Sequence, residues 1–368
     1  MNEMPGQANS GDKPKSFDLG IHYLRAFAIV CILLEHFWCY NGWEKESRAF
    51  LIGSTVYFLF ISGYLCQYLS VRHPVSPKTY YRRKVRNVLC PYLVWTILTI
   101  VVVRLANETR CGVIAPDAIR CENIPEIVLF GLAQGPYWYI PFVCLLFLVS
   151  PRISRIRDSE MVRLSALFFF FAVCIPVRPV LPIENALAPL LMQYTYFAWS
   201  YLFGFLYARF KERVDAHLSG FVGAAIVLGL LLGLQAITPD CFTFGYPSFD
   251  SPEPATGSFV LGGALAQSLQ KLFFLVPAVA LANRLARKRI SILDWLATYS
   301  FTLYFTHHFF VQDFVRFQTW TFKLIQPGTV GQTAIRLVVS ALFIAFNLFF
   351  AVVLKRLIGR HSRCIIGA

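Results

Sequence analysis

Charge is scarce in this chain. Asp, Glu, Lys and Arg together make up 15% of it, and acidic residues number 20 against 34 basic ones. With 57% of the residues hydrophobic, a soluble domain could not hide its apolar surface. A bilayer can, because lipid tails solvate such side chains. No connecting segment is long enough for a soluble domain, so any chemistry must occur in or at the membrane. Internal repeats and low-complexity tracts are also missing. Residues 1–20 lack the apolar core and small-residue cleavage site of a secretory signal, so a cytoplasmic tail is expected there. The net charge of +14 would suggest a nucleic-acid partner in a soluble protein. Here none is expected, because cytoplasmic loops of membrane proteins gather Lys and Arg.

What is present is a series of apolar runs, near 21–40, 49–70, 88–106, 137–151, 164–178, 190–208, 218–237, 258–282, 293–315 and 334–354. They predict an all-α, polytopic membrane protein with about ten transmembrane helices. The runs at 137–151 and 164–178 are short, which calls for tilt, a thinned bilayer or extension into their flanks. Ile124–Gly135 is too short to span and reads as an interfacial or re-entrant helix. The connecting segments on one side hold 23 of the 34 basic residues. That bias makes the side cytoplasmic and places both termini inside. The expected organisation is a tail (1–20), one membrane domain (21–354) and a basic tail (355–368). Cys111 and Cys121 share an outer loop ten residues apart, where a disulfide is favoured over two free thiols. Cys241 with Cys39 is the other pairing open.

An ionisable side chain inside a span costs about 2.5–3.5 kcal/mol, so each one needs a reason. The first run carries Arg25, Glu35 and His36. Arg25 and His36 are eleven residues apart, about 20° around the axis and about 16 Å along it, and share one face. Snorkelling alone accounts for Arg25, and a structural hydrogen bond for a lone histidine. The shared face shifts both toward function, since histidine readily exchanges a proton near neutral pH. Glu35 lies about 100° away and is poorly placed to orient the His36 ring. Arg82, Arg83, Lys84 and Arg86 cluster before the third run. Topological anchoring explains a basic loop, but this density also suits a phosphate-rich ligand. In the ninth run, Tyr304 is one turn from His307 or His308, so they can share a face, as reactive groups or as a stripe that glues helices. No metal-ligand spacing stands out, and the adjacent His307 and His308 point to different faces. No metal is expected.

Taken as a set, these elements resemble the acyltransferase-3 family of bacterial membrane acyltransferases. The R-x10-H helix is Arg25 to His36 within LRAFAIVCILLEHF, followed by YFLFISGYL with Ser62 and Gly63. The basic R-x-x-R element is Arg83 and Arg86, before Pro91-Tyr92; the Trp-aromatic element is Tyr137-Trp138-Tyr139. The late Ser-x3-Tyr-x2-His element is Ser300, Tyr304 and His307. The order and spacing match over nearly the whole chain. Some relatives carry a fused SGNH esterase-like domain, for which this chain has no room.

The resemblance implies O-acyl transfer in the bacterial plasma (inner) membrane. The donor would be cytoplasmic acyl-CoA, most simply acetyl-CoA. The acceptor would be a hydroxyl of a cell-surface polysaccharide or lipid-linked glycan. Arg82, Arg83, Lys84 and Arg86 would hold the CoA phosphates. Arg25, His36, Tyr304 and His307 would form the catalytic set, with His36 as general base or as an acyl-carrying nucleophile. Membrane lipids are the surrounding partner. One rival is a transporter or flippase of a glycan or lipid-linked substrate, which buried ionisable residues would serve as well. Against it, no repeat and no matched pair of broken helices is visible. The other rival is a structural membrane scaffold.

Overall fold

The computed structural model describes residues 18–40, 50–107, 113–174, 187–236, 257–323 and 330–367. Among them the chain is helical throughout, apart from one isolated bridge between Val113 and Gln134. Helix α1 is Leu19–Tyr40 and α2 is Thr55–Arg72. Helix α3, Pro77–Lys84, starts where the Ser76 hydroxyl accepts the Thr79 N–H at 3.3 Å, with Pro77 in the first turn. It runs through a π-helical turn, Val85–Leu89, into α4, Cys90–Ala106. Pro91 lacks an N–H, which removes a ladder bond where the helix widens.

A short helix α5, Ile124–Phe130, ends at left-handed Gly131. A 3₁₀ turn, Gly135–Trp138, then leads into α6, Tyr139–Ile153. The short fourth run therefore extends by two residues into each flank, to Gly135–Ile153. The later helices are α7 (Asp158–Cys174), α8 (Leu187–Ala236), α9 (Gly257–Leu285), α10 (Ser291–Phe322) and α11 (Val330–Ile358).

Each apolar run falls on a helix, but 190–208 and 218–237 share α8. The basic loop expected between them, with Arg209, Lys211 and Arg213, is instead helical. The break is a single non-helical residue, Phe210, at φ −111° and ψ 16°. Among the described residues, five helical stretches are long and apolar enough to cross a membrane: Leu19–Trp38, Pro77–Ala106, Gly135–Ile153, Tyr194–Leu234 and Gly331–Ile365. The C-terminal residues, expected as a tail, form a short helix, α12 (Ser362–Ile365), that docks on the bundle. Ile366 is buried there, and its carbonyl accepts the Thr302 hydroxyl at 2.9 Å. Cys121 is exposed; Cys111, Cys241 and the Cys39 side chain lie outside the described residues.

Two glycines set the closest helix crossing. A Cβ on Gly63 of α2 would collide with the Tyr201 carbonyl, and one on Gly204 of α8 with the Phe60 carbonyl. With no side chain at either position, the two backbones meet directly, the small-residue packing that membranes favour. One end of the bundle is laced by polar contacts. Tyr64 donates to Asp18 at 2.5 Å, and Lys211 to Asp215 at 2.9 Å. Asn283 donates to Asp215 at 3.0 Å. Arg209 donates to Asp158 at 2.8 Å and to the Ile156 carbonyl at 2.7 Å. All of these residues sit in or beside the segments whose Lys and Arg content marks them as one side of the membrane.

Candidate active site

Helices α1 and α10 begin together at that polar end. His22 lies 3.7 Å from Asp294, and the Tyr23 hydroxyl accepts the Ile290 N–H at 2.7 Å. The two helices pack against each other and run in the same direction. His36 is 17 residues beyond Leu19 and His307 is 16 beyond Ser291. At the helical rise, both rings reach the same depth, about 25 Å in. The His36 ring centroid is 5.2 Å from that of His307 and 4.7 Å from that of His308.

The expectation that His307 and His308 point apart is therefore corrected: their rings are 4.7 Å apart and both meet His36. Their Cα–Cβ bonds do diverge by about 100° around α10. His36 faces the gap between them, so each side chain reaches it from its own flank. His307 and His308 are buried, while His36 is partly exposed. The His307 Nδ1 lies 3.1 Å from the Leu303 carbonyl oxygen. A carbonyl can only accept, so Nδ1 carries the hydrogen and Nε2 the lone pair of the neutral ring. That Nε2 is buried and has no hydrogen-bond partner among the described residues.

The aromatic elements assemble beside the histidines. The Tyr304 hydroxyl donates to the Pro136 carbonyl, and Tyr137 donates to the Phe305 carbonyl at 2.9 Å. The 3₁₀ turn is thereby held on α10. The Tyr304 ring lies 6.3 Å from His307 and 5.7 Å from Tyr139. Tyr139 shares a 3.2 Å hydrogen bond with Ser62 of α2. Arg25 and Lys84 lie toward the basic end of this group, and as two cations they repel each other. A polar line of Ser62, Tyr139, Tyr304 and His307 is thus joined to His36 by hydrogen-bond and ring contacts.

The four basic residues before α4 separate. Lys84 turns inward, its Nζ 3.6 Å above the Phe147 ring and 5.4 Å above Tyr80. Arg82, Arg83 and Arg86 are exposed, and Arg86 Nε donates to Cys364 Sγ at 3.0 Å. Of the four, Lys84 alone turns inward.

Glu35 faces away from this group. It accepts the Gly53 N–H at 3.2 Å and interacts with the buried Lys271 of α9, whose Nζ donates to the Phe50 carbonyl at 2.6 Å. An apolar cleft of about 330 Å³ opens on that flank of α1, lined in part by Phe27, Cys31, Tyr57, Phe274 and Leu281. None of the site residues lines it.

His308 and Tyr139 are the members left out of the expected catalytic set, although the one-turn spacing of His308 from Tyr304 and the Trp-aromatic element with Tyr139 were both visible in the sequence. Chemically, the site offers clustered imidazoles for proton transfer, with two hydroxyl-bearing rings alongside. Neither a curated protein nor a solved structure matches the chain. A family model, acyltransferase 3, described as an acyltransferase domain, matches residues 18–356. With that match over nearly its whole length and a site built of histidines inside an apolar helical bundle, the chain belongs to the acyltransferase-3 family of membrane acyltransferases.

Proposed function

We propose that the protein moves an acyl group, acetyl in the simplest case, from cytoplasmic acyl-CoA to a hydroxyl of a cell-surface polysaccharide or lipid-linked glycan. The single observation that carries this reading is the group of His36, His307 and His308, set along α1 from Arg25 and the basic end of the bundle. This combines a basic surface, suited to phosphates, with imidazoles suited to moving a proton. We place the protein in the bacterial inner membrane with about ten crossings and both termini inside. The phosphates of CoA then meet the α3 cluster, and the pantetheine arm follows α1 toward His36, about 16 Å beyond Arg25.

In this mechanism the acceptor O–H gives its proton to His36 as its oxygen attacks the thioester carbonyl. The C–S bond breaks, and the proton ends on the departing thiolate, leaving free CoA and an O-ester. His307, its tautomer held by the Leu303 carbonyl, and Tyr304, held on the Pro136 carbonyl, line the site where the tetrahedral oxygen forms.

The test uses membranes containing the protein, labelled acetyl-CoA and the glycan fraction of the host. Label should enter the glycan with the wild type and fall about 10²–10⁴-fold with His36→Ala. Equal transfer by the two proteins would remove His36 from the mechanism. No transfer by either, with no acyl-CoA binding, would favour a transporter.

A further inference from the structure

We propose that His36, His307 and His308 form a three-imidazole binding site for a zinc-class divalent cation. Their ligand nitrogens all lie within 4.8 Å of one another. Tetrahedral zinc, bound at about 2.0–2.1 Å, needs its nitrogens about 3.4 Å apart. At the widest separation, each nitrogen has to move inward by about 0.8 Å to reach the ion. Two features prepare the site. The Leu303 carbonyl holds the His307 Nδ1–H, as the outer partner of a metal-bound histidine commonly does, and this leaves Nε2 as the ligand atom. That Nε2 is fully buried and has no hydrogen-bond partner among the described residues, so an ion would satisfy it.

The chemistry of the donors selects the ion. Three imidazoles, with no carboxylate or thiolate among them, suit zinc better than magnesium or calcium, which take oxygen ligands. Three protein ligands also leave a fourth position open. Hydroxide or another anion in that position lowers the net charge held inside the bilayer.

The inference goes beyond the proposed function and touches it at one point. An ion on the trio takes the His36 lone pair that general-base catalysis needs. Metal occupancy and acyl transfer therefore exclude each other, and zinc acts as an inhibitor read directly at the reactive histidine.

The experiment uses the full chain in detergent, stripped with a chelator and titrated with Co²⁺ as a spectroscopic probe, then with Zn²⁺. The wild type should develop visible absorption typical of four-coordinate Co²⁺ at one ion per chain, and Zn²⁺ should abolish it. His36→Ala, His307→Ala and His308→Gln should each weaken binding by more than the about 10–100-fold typical of a lost outer partner. The exposed His217 of α8 provides the control, and His217→Ala should bind as the wild type does. Thermal unfolding checks that each variant is folded; the near-isosteric His308→Gln guards against a collapsed site. A wild type that binds no better than His308→Gln would overturn the site. Normal label transfer by the zinc-saturated protein would overturn the inhibitory role. A Co²⁺ spectrum from a protein that never transfers label would leave the metal site standing and sink the transferase mechanism instead.

Discussion

Lys84 and its neighbours show how one residue's placement separates equal-looking charges. Arg82, Arg83, Lys84 and Arg86 are close neighbours in sequence, yet Lys84 alone turns from the surface, onto the Phe147 ring. If the basic end of the bundle takes the acyl donor, Lys84→Met should raise the KM for acyl-CoA several-fold more than Arg82→Gln, with little change in kcat. Steady-state kinetics on the two variants check this; equal effects would return the whole cluster to topological anchoring. Lys271 poses a different residue-scale question. It is fully buried beside the Gly53 turn whose N–H Glu35 accepts, away from the histidines, so that the two opposite charges share one buried corner. Breaking such a pair leaves a buried charge uncompensated, at about 3–5 kcal/mol. Lys271→Met should lower Tm strongly, and adding Glu35→Gln should recover much of the loss. A Lys271→Met variant with unchanged Tm would show that the pair contributes nothing.

Among the elements, α2 and α8 have the least tolerance for added volume. Gly63→Leu or Gly204→Leu would drive a side chain into the opposite backbone, part the helices and take Ser62 away from Tyr139. Both variants should lose thermal stability and activity together. Gly220, also in α8, has nothing within 4 Å of where its Cβ would be. Gly220→Ala should therefore raise stability by about 1 kcal/mol through helix propensity alone. Thermal scans of the three variants test the contrast. A harmless Gly204→Leu would mean that the two helices pack less closely than described.

For the whole molecule, the arrangement of its ends makes the strongest statement. The polar lacing around Asp18, Asp158, Arg209, Asp215 and Asn283 gathers residues from α1, α7, α8 and α9 at one end. Reporter fusions should show that end to be cytoplasmic. Green fluorescent protein should fluoresce when fused after Ala368 or inserted at 74–75, and stay dark when inserted at 108–110, beyond α4. Fluorescence at all three places would overturn the proposed topology.

Helices α1 and α10 mark the limit of what was legible beforehand. Composition and the spacing of apolar runs sufficed for an all-helical membrane protein, because the bilayer imposes both length and hydropathy on each helix. The order of the short motifs was equally readable and pointed to the family that the match over residues 18–356 bears out. The continuity of α8 was not readable: Arg209, Lys211 and Arg213 look like a loop, but they continue a kinked helix, in which Arg209 is met by Asp158 of α7 and Lys211 by Asp215. Nor was the convergence of His36 with both His307 and His308. Sequence spacing gives angles around one helix at a time. Only the packing of α1 beside α10, started at the same level by His22–Asp294 and Tyr23–Ile290, sets two helices in register and brings distant imidazoles together. The chain by itself determined which side chains enter the membrane, since each carries its own transfer cost; the tertiary structure decided which of them meet, since that depends on helix register and close approach between segments far apart in sequence.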